Sequence, residues 1–217
     1  MQIREVFRTD GPGRVLFMSD LHYGHENILK MSDRPFKSIQ KMNEFLASEL
    51  SKLSPDDIVF DLGDMFWKCP IEEAEKVLES CPAKKYKVLG NHDKVGLYST
   101  NNAELAKHFE IISDLLDIKV NYDSKDIRVT LCHYPMISWR NKSMGSFLCH
   151  GHNHGNLDSF NSESPELRVD VGVDGQLAKE SGSFLISFED IYNHFTKKVG
   201  SNDFQGWVWS NYNKNSF

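Results

Sequence analysis

Hydrophobic and polar positions form short runs of two kinds along this chain. Compact apolar runs bounded by polar or turn-forming residues predict β-strands, and they lie at 1–7, 14–19, 57–61, 85–89, 111–118, 126–132, 145–149 and 184–187. Apolar residues at helical spacing predict helices over 26–31, 38–53, 71–79, 103–109 and 187–197. Strict alternation over 167–174 predicts one half-buried strand. The length of 217 residues fits a single α/β domain spanning 1–217.

Two of the predicted helices begin at recognisable caps. Ser38 is a suitable N-cap, and the segment from Ser187 to Asp190 resembles a capping box. The C-terminal residues around Trp207 and Trp209 show no clear pattern.

Composition narrows the possible partners. The formal charge is −6, from 25 basic and 31 acidic residues, and no Lys/Arg run is longer than a pair, which argues against an extended nucleic-acid surface. No run of 18 apolar residues occurs, and Arg4, Glu5 and Arg8 interrupt any signal-peptide core. We therefore expect a cytoplasmic protein with no membrane association, whose cysteines are reduced.

Five separate apolar runs end in residues that can bind metal. These residues are Asp20 and His22, Asp64, Asn91 and His92, His133, and His152 and His154. In α/β sheets, ligands gather outside the carboxyl ends of the strands, so residues scattered along the chain can meet there. The pattern predicts one shared metal site.

The mixture of oxygen and nitrogen ligands indicates the kind of site. The set is too large for one tetrahedral zinc and holds no obvious thiolate, which disfavours a structural zinc module. Two ions that share a carboxylate would use all the ligands, and such sites suit Mn, Fe, Zn or Ni.

The motifs resemble those of the calcineurin-like metallophosphoesterases. The resemblance rests on five segments in the family's order over roughly residues 14 to 175: Asp20-Leu21-His22, Gly63-Asp64, Gly90-Asn91-His92-Asp93, His133 and Gly151-His152-Asn153-His154. Arg34-Pro35-Phe36 and Cys132-His133-Tyr134-Pro135 with Trp139 further resemble small standalone bacterial and phage members.

This resemblance implies a fold and a set of roles. The fold would be two mixed β-sheets packed face to face as a sandwich, flanked by helices. The first of two divalent ions would be held by Asp20, His22 and His154, the second by Asn91, His133 and His152, and Asp64 would bridge them. Manganese is the foremost expectation, with Fe, Zn, Ni or Mg as alternatives. His150, which shares the alternation of His152 and His154, receives no metal role and is expected to support the site.

The implied activity is hydrolysis of a phosphodiester or phosphomonoester, with a small nucleotide-type substrate favoured. A hydroxide shared by the two ions would attack phosphorus, and His92 would assist the leaving group. The alternatives are a nuclease of the same family and a catalytically silent scaffold. The sequence leaves the oligomeric state open.

One segment departs from the family pattern Gly-Asp-x-x-Asp-Arg-Gly. Trp67 replaces the acid that orients the catalytic histidine, and Lys68 replaces the phosphate-binding Arg, which argues against a protein phosphatase. Asp93 is a candidate to orient His92 in place of the missing acid, but only because it is next to His92 in the sequence. For substrate binding, the candidates are His25, Lys68 and Trp139, each of which could instead be an ordinary surface or packing residue. Stacking of a base on Trp67, Tyr134 or Trp139 is a further possibility.

Overall fold

A computed structural model describes residues 1–93, 97 and 104–212 of the protein. Its described strands form two mixed five-stranded sheets, as the resemblance implies. The first sheet has the order β1 (Gln2–Arg8), β6 (Leu115–Tyr122), β7 (Lys125–Cys132), β8 (Phe147–His150) and β9 (Arg168–Asp170). The second has the order β10 (Ile186–Ser187), β2 (Val15–Met18), β3 (Ile58–Asp61), β4 (Lys84–Val88) and β5 (Ile111–Ser113).

Helices flank these sheets. They are α1 (Ile28–Met31), α2 (Ile39–Ser51), α3 (Ile71–Ser80), α4 (Asp158–Glu163), α5 (Gln176–Ser181), α6 (Phe188–Val199) and α7 (Phe204–Tyr212). Ser38 caps α2 by accepting a hydrogen bond from the Lys41 amide, and Ser187 forms the expected capping box with Asp190 at the start of α6. Within the described residues, no helix has the length and apolar character needed to cross a bilayer.

The alternation of side chains along β2 shows how the core is built. Phe17 points into a core that both sheets share, together with Phe7 and Phe147 of the first sheet. Leu16 and Met18 point the other way, into a second apolar layer beneath α2 and α3. Since successive residues of a strand face opposite sides, an uninterrupted apolar strand is buried on both faces.

Three sequence-based predictions need correction. The run 111–118 contains two strands in different sheets, because the chain turns after Ser113, whose hydroxyl bonds to the Leu115 carbonyl. The strand predicted over 167–174 covers only β9, and it is fully buried because its charged residues, Arg168 and Asp170, find hydrogen-bond partners inside. The helix predicted over 103–109 begins at Ala103, outside the described residues, and its described part is a 3-10 turn over Ala106–His108.

The carboxyl ends of the parallel strands in the two sheets meet at one edge. β2 to β5 run parallel in the second sheet, and β7 to β9 run parallel in the first. An isolated parallel bridge between Ser19 and Gly172 joins the loops that follow β2 and β9. The Asp20 amide donates to the Gly63 carbonyl at 3.0 Å, which joins the loops after β2 and β3. This edge therefore brings loops from both sheets into contact.

Candidate metal centre

The loops at this edge bring the predicted ligands into two overlapping groups. Ligand atoms of Asp20, His22 and His154 lie within 4.8 Å of one another, and so do those of Asp20, Asp64 and His133. The first group is the set that the resemblance implies for the first ion. Asp64 connects the two groups, since its Oδ2 lies 3.9 Å from the His22 Nε2 and 3.4 Å from the His133 Nε2.

The other two predicted ligands border the second group. The Asn91 Oδ1 lies 3.0 Å from the His133 Nε2, and the His152 ring centroid lies 5.1 Å from that of His133. The His152 amide donates to the Asp20 Oδ2 at 2.9 Å. The structure thus gathers all seven predicted ligands around one site.

Buried polar atoms without partners mark the centre of this cluster. Asp20 is fully buried and its Oδ1 has no hydrogen-bond partner among the described residues; the same holds for both ring nitrogens of His22, which is 2% exposed. Burying such groups unpaired is costly, and native structures rarely leave them so. A carboxylate oxygen and an imidazole nitrogen that converge in this way fit a divalent cation.

The same burial sets the protonation of the ligands. It raises the pKa of Asp20 to about 7 and lowers the pKa of His22 to about 3, so His22 is neutral and able to bind metal. Burial also acts to raise the pKa of Asp64, but the hydrogen bond and charge of His133 outweigh it and bring that pKa to about 2. Hydrogen bonds to carboxylates outweigh burial at His133 and His154 and raise the pKa of both imidazoles, so Asp20 is not the only ligand that titrates near neutral pH.

In two of the histidines, a hydrogen bond made by the Nδ1 fixes the tautomer of the neutral ring. The His133 Nδ1 lies 2.8 Å from the Leu62 carbonyl, and the His154 Nδ1 lies 2.7 Å from the Asp174 Oδ2. Each Nδ1–H donates to an oxygen, so in the neutral form of each ring the Nε2 carries the lone pair that can bind a cation. Asp174 was not among the residues that the sequence pattern singled out.

Left-handed backbone conformation is concentrated at the ligands. The five ligand positions with positive φ, between 49° and 70°, are Asp20, His22, Asp64, His152 and His154. The glycines of the motifs allow the loops to approach one another closely. A Cβ at Gly90 would lie 2.2 Å from the Asp64 Oδ1, and one at Gly151 would lie 2.0 Å from the Ser19 Oγ.

His92 lies at the rim of the cluster. Its amide donates to the Asp64 Oδ1 at 2.8 Å, while its ring packs edge-on against Trp67 at 4.3 Å. The side chain is 36% exposed, and its Nε2 is 3.9 Å from the Asp64 Oδ2. His92 is thus open to a substrate while remaining beside the bridging ligand.

Asp93 has partners other than the one predicted for it. Its buried carboxylate accepts hydrogen bonds from the amides of Asp64 and Gly90, at 3.0 and 2.8 Å, and pairs with the Lys87 ammonium at 2.9 Å. These contacts lie beneath the Asp64 loop. Asp93 therefore fixes this loop, which corrects the orienting role toward His92 that adjacency suggested.

Two of the three candidate substrate residues lie beside Trp67. The His25 ring stacks on the Trp67 ring at 4.4 Å, and the exposed Lys68 places its ammonium 5.7 Å from that ring. His25, Trp67 and His92 therefore form an aromatic wall beside His22. His25 therefore covers one face of the Trp67 indole, which removes that face from stacking with a base.

Trp139 is not brought to this wall. It is 8% exposed, packs on Cys132 and Leu148, and donates its indole N–H to Ser146. These are the contacts of a packing residue, and they correct the substrate-binding role that its sequence context suggested.

His150 supports the site without joining it. It is fully buried, its Nδ1 lies 2.9 Å from the Gly151 carbonyl, and its Nε2 accepts from the side-chain Nδ2 of Asn161 at 3.0 Å. It therefore anchors the start of the loop that carries His152 and His154.

Comparisons with known proteins agree with this geometry. The family model for calcineurin-like phosphoesterases matches residues 13–205. An uncharacterized protein of Methanocaldococcus jannaschii is 28% identical over 165 residues, which are 74% of this chain and 82% of that protein. A probable inactive purple acid phosphatase of Arabidopsis thaliana is 29% identical over 100 residues, 41% of this chain but only 25% of that protein.

A solved structure has the same fold. The crystal structure of a protein of unknown function from Aquifex aeolicus aligns with a TM-score of 0.59 and 25% identity, covering 82% of this chain and 97% of that one. Since the family model covers most of the sequence, the chain belongs to the calcineurin-like phosphoesterase family.

Proposed function

We propose that the protein is a dinuclear metal-dependent phosphoesterase that hydrolyses a small phosphodiester or phosphomonoester of nucleotide type. The observation that carries this proposal is the convergence of the carboxylate and imidazole ligands around unpaired buried atoms of Asp20 and His22. An accessible histidine, His92, stands beside that cluster. The family supports the chemistry.

Each predicted ligand has a place in this proposal. Asp20, His22 and His154 hold a first divalent ion, Asn91, His133 and His152 hold a second, and Asp64 binds both. When bound, two such ions supply a nucleophile at neutral pH and neutralise phosphoryl oxygens. Manganese is the foremost choice and Fe, Zn, Ni or Mg are the alternatives, since carboxylate oxygens suit Mn and Mg while imidazoles suit Fe, Ni and Zn.

His92 gives the protein a means of assisting the leaving group. The edge contact with Trp67 orients its ring, and the hydrogen bond from its backbone amide to Asp64 fixes its backbone. These contacts replace the acidic residue that the family pattern has at the position of Trp67. A positioned imidazole that donates a proton to the departing oxygen is typically worth ~10²–10⁴ in rate. We propose that His25, in this wall, and Lys68, beside it, bind phosphate oxygens; their contacts with Trp67 near His92 support this.

A small substrate is favoured over a nucleic acid. The net charge of −6 and the lack of Lys/Arg runs give no extended positive surface for a polynucleotide backbone. A nuclease of this family is therefore the less favoured alternative.

The test is a hydrolysis panel combined with metal analysis. Substrates are an aryl phosphomonoester, an aryl phosphodiester, cyclic nucleotides and single-stranded DNA, each with Mn, Ni, Zn or Mg. The proposal expects two ions per chain and turnover of at least one small substrate, with His194→Ala, in α6, as a control that keeps wild-type turnover. A folded protein that holds two ions and hydrolyses none of these substrates would point to a silent scaffold. A protein that binds no ions would refute the metal proposal.

A further inference from the structure

Arg34, from the Arg34-Pro35-Phe36 segment, has no role in the proposed reaction, yet it is one of the best-paired residues near the site. It is 6% exposed, and its guanidinium makes five hydrogen bonds, the number of its N–H groups. The Nε and Nη2 groups donate to the two oxygens of Asp174 at 2.9 and 2.8 Å. The remaining donors reach the carbonyls of Asp20 at 2.6 Å and Leu21 at 2.7 Å, and the Met42 sulfur at 3.4 Å.

The two carbonyls belong to a strained segment. Asp20 has φ 59° and His22 has φ 50°, and both are ligands assigned to the first ion. Left-handed conformations of residues other than glycine persist only where the surroundings hold them. By binding the carbonyls of Asp20 and Leu21, Arg34 fixes the two peptide units between these ligands.

Asp174, the carboxylate of the pair, also contacts His154, which is the third ligand assigned to the first ion. The Asp174 Oδ2 accepts from Arg34 and also from the His154 Nδ1, at 2.7 Å. This bond sets the tautomer of His154 and the direction of its Nε2. The Arg34–Asp174 pair thus supports the three ligands assigned to the first ion alone, which are Asp20, His22 and His154.

We propose that Arg34 and Asp174 form a buried clamp that positions Asp20, His22 and His154, and so controls the affinity of the first metal ion specifically. The proposal rests on the proposed function, since it requires the dinuclear centre. Asp20 lies in both ligand groups, but the other two members of the second group are supported differently: the Leu62 carbonyl holds His133, and Asp93 holds the Asp64 loop. Loss of the clamp therefore acts mainly on one ion.

The primary test is Arg34→Lys, which keeps the charge but loses the planar fork. Arg14→Lys is the matched control, because Arg14 binds Asp57 through the same Nε and Nη2 fork at the amino ends of β2 and β3, opposite the site. Metal-free proteins are titrated with MnCl₂ by calorimetry. We expect Arg34→Lys to weaken one of two binding events about 10–100-fold and the other less than about 3-fold. Arg14→Lys should change neither.

Two further measurements identify the ion and separate positioning from general damage. Anomalous scattering from crystals at limiting Mn²⁺ should show the site of Asp20, His22 and His154 losing occupancy first. At saturating Mn²⁺ the kcat of Arg34→Lys should return toward wild type, because the clamp positions ligands and does not touch substrate. If Arg34→Lys does not fold, Asp174→Asn takes its place, since it keeps the size of the side chain and removes the charged acceptor.

Several outcomes would overturn the clamp. Unchanged affinities in a folded clamp variant would do so, as would an equal loss of both ions, because either result removes the specific link to the first ion. These results differ from failure of the proposed function, in which the wild-type protein itself would bind no pair of ions.

Discussion

Lys87 offers a sharp test of how the metal loops are supported. It lies in β4, is fully buried, and places its ammonium 2.6 Å from the Asp61 Oδ2 and 2.9 Å from the Asp93 Oδ2. Lys87→Met keeps much of the length and volume of the side chain but leaves both carboxylates without this cation. Breaking a buried ion pair by removing one partner costs about 3–5 kcal/mol. We expect a loss of this size in the free energy of unfolding near neutral pH.

The loss should depend on pH in a defined direction. Burial raises the pKa of Asp61, and Lys87 opposes this effect, so its removal raises that pKa further. Between the ordinary and the raised pKa, the folded state binds more protons than the unfolded state, so stability falls as the pH rises through this window. The deficit of Lys87→Met should therefore be smaller at about pH 5 than at about pH 7.5.

Urea unfolding of metal-free protein, followed by circular dichroism, measures both effects. Metal is removed because binding to the native state would add its own stabilisation. Lys41→Met is the control, since Lys41 makes an ion pair of 2.7 Å with Glu44 on the exposed face of α2, and its loss should leave stability unchanged. A Lys87→Met variant that loses less than about 1 kcal/mol, or whose deficit does not shrink in acid, would refute the reasoning.

Three further predictions concern the metal centre directly. His92→Ala should keep both ions but lose ~10²–10⁴ in rate with an alkyl leaving group and less with an aryl one; near-normal turnover of the alkyl ester would remove His92 from the mechanism. Asp64→Asn should weaken both ions together, because the Asp64 Oδ2 lies 3.9 Å from the His22 Nε2 and 3.4 Å from the His133 Nε2, and full occupancy by metal analysis would contradict this. Because burial raises the pKa of Asp20 to about 7, protons compete with metal there, so the apparent Mn²⁺ affinity should fall as the pH drops below that value. Calorimetry at several pH values measures this trend, and a flat profile between about pH 6 and 8 would argue against it.

The sequence was most informative where a local pattern decides the outcome. Asp20, Asp64 and His133 lie one to three residues after the ends of β2, β3 and β7, and apolar runs of this length become strands whose carboxyl ends meet at one edge. Local patterns therefore predicted the strand ends and the capped starts of α2 and α6, whereas the two mixed sheets were predicted from the family resemblance. Their boundaries shifted by only a few residues.

Adjacency in the sequence was less informative about the direction in which a side chain points. Asp93 follows His92, yet the turn aims the Asp93 carboxylate inward toward Lys87 while His92 faces outward. Trp139 lies six residues after His133 and points into a packing cluster. The direction of a loop side chain depends on which distant groups can pack against it or form its hydrogen bonds. The Arg34–Asp174 pair is separated by 140 positions, so no local sequence pattern indicates it.

The backbone conformation of the ligands explains why buried cations lie behind this centre. Five of the seven predicted ligands have positive φ, and each such residue costs of order 1–3 kcal/mol, which contacts with its surroundings must offset. Arg34 binds two carbonyls and both oxygens of one carboxylate in fixed directions, which suits the planar fork of a guanidinium. Lys87 lies between two carboxylates, which suits the point charge of an ammonium. The two cations are therefore not interchangeable. The geometry of the metal ligands depends on side chains that bind neither metal nor substrate.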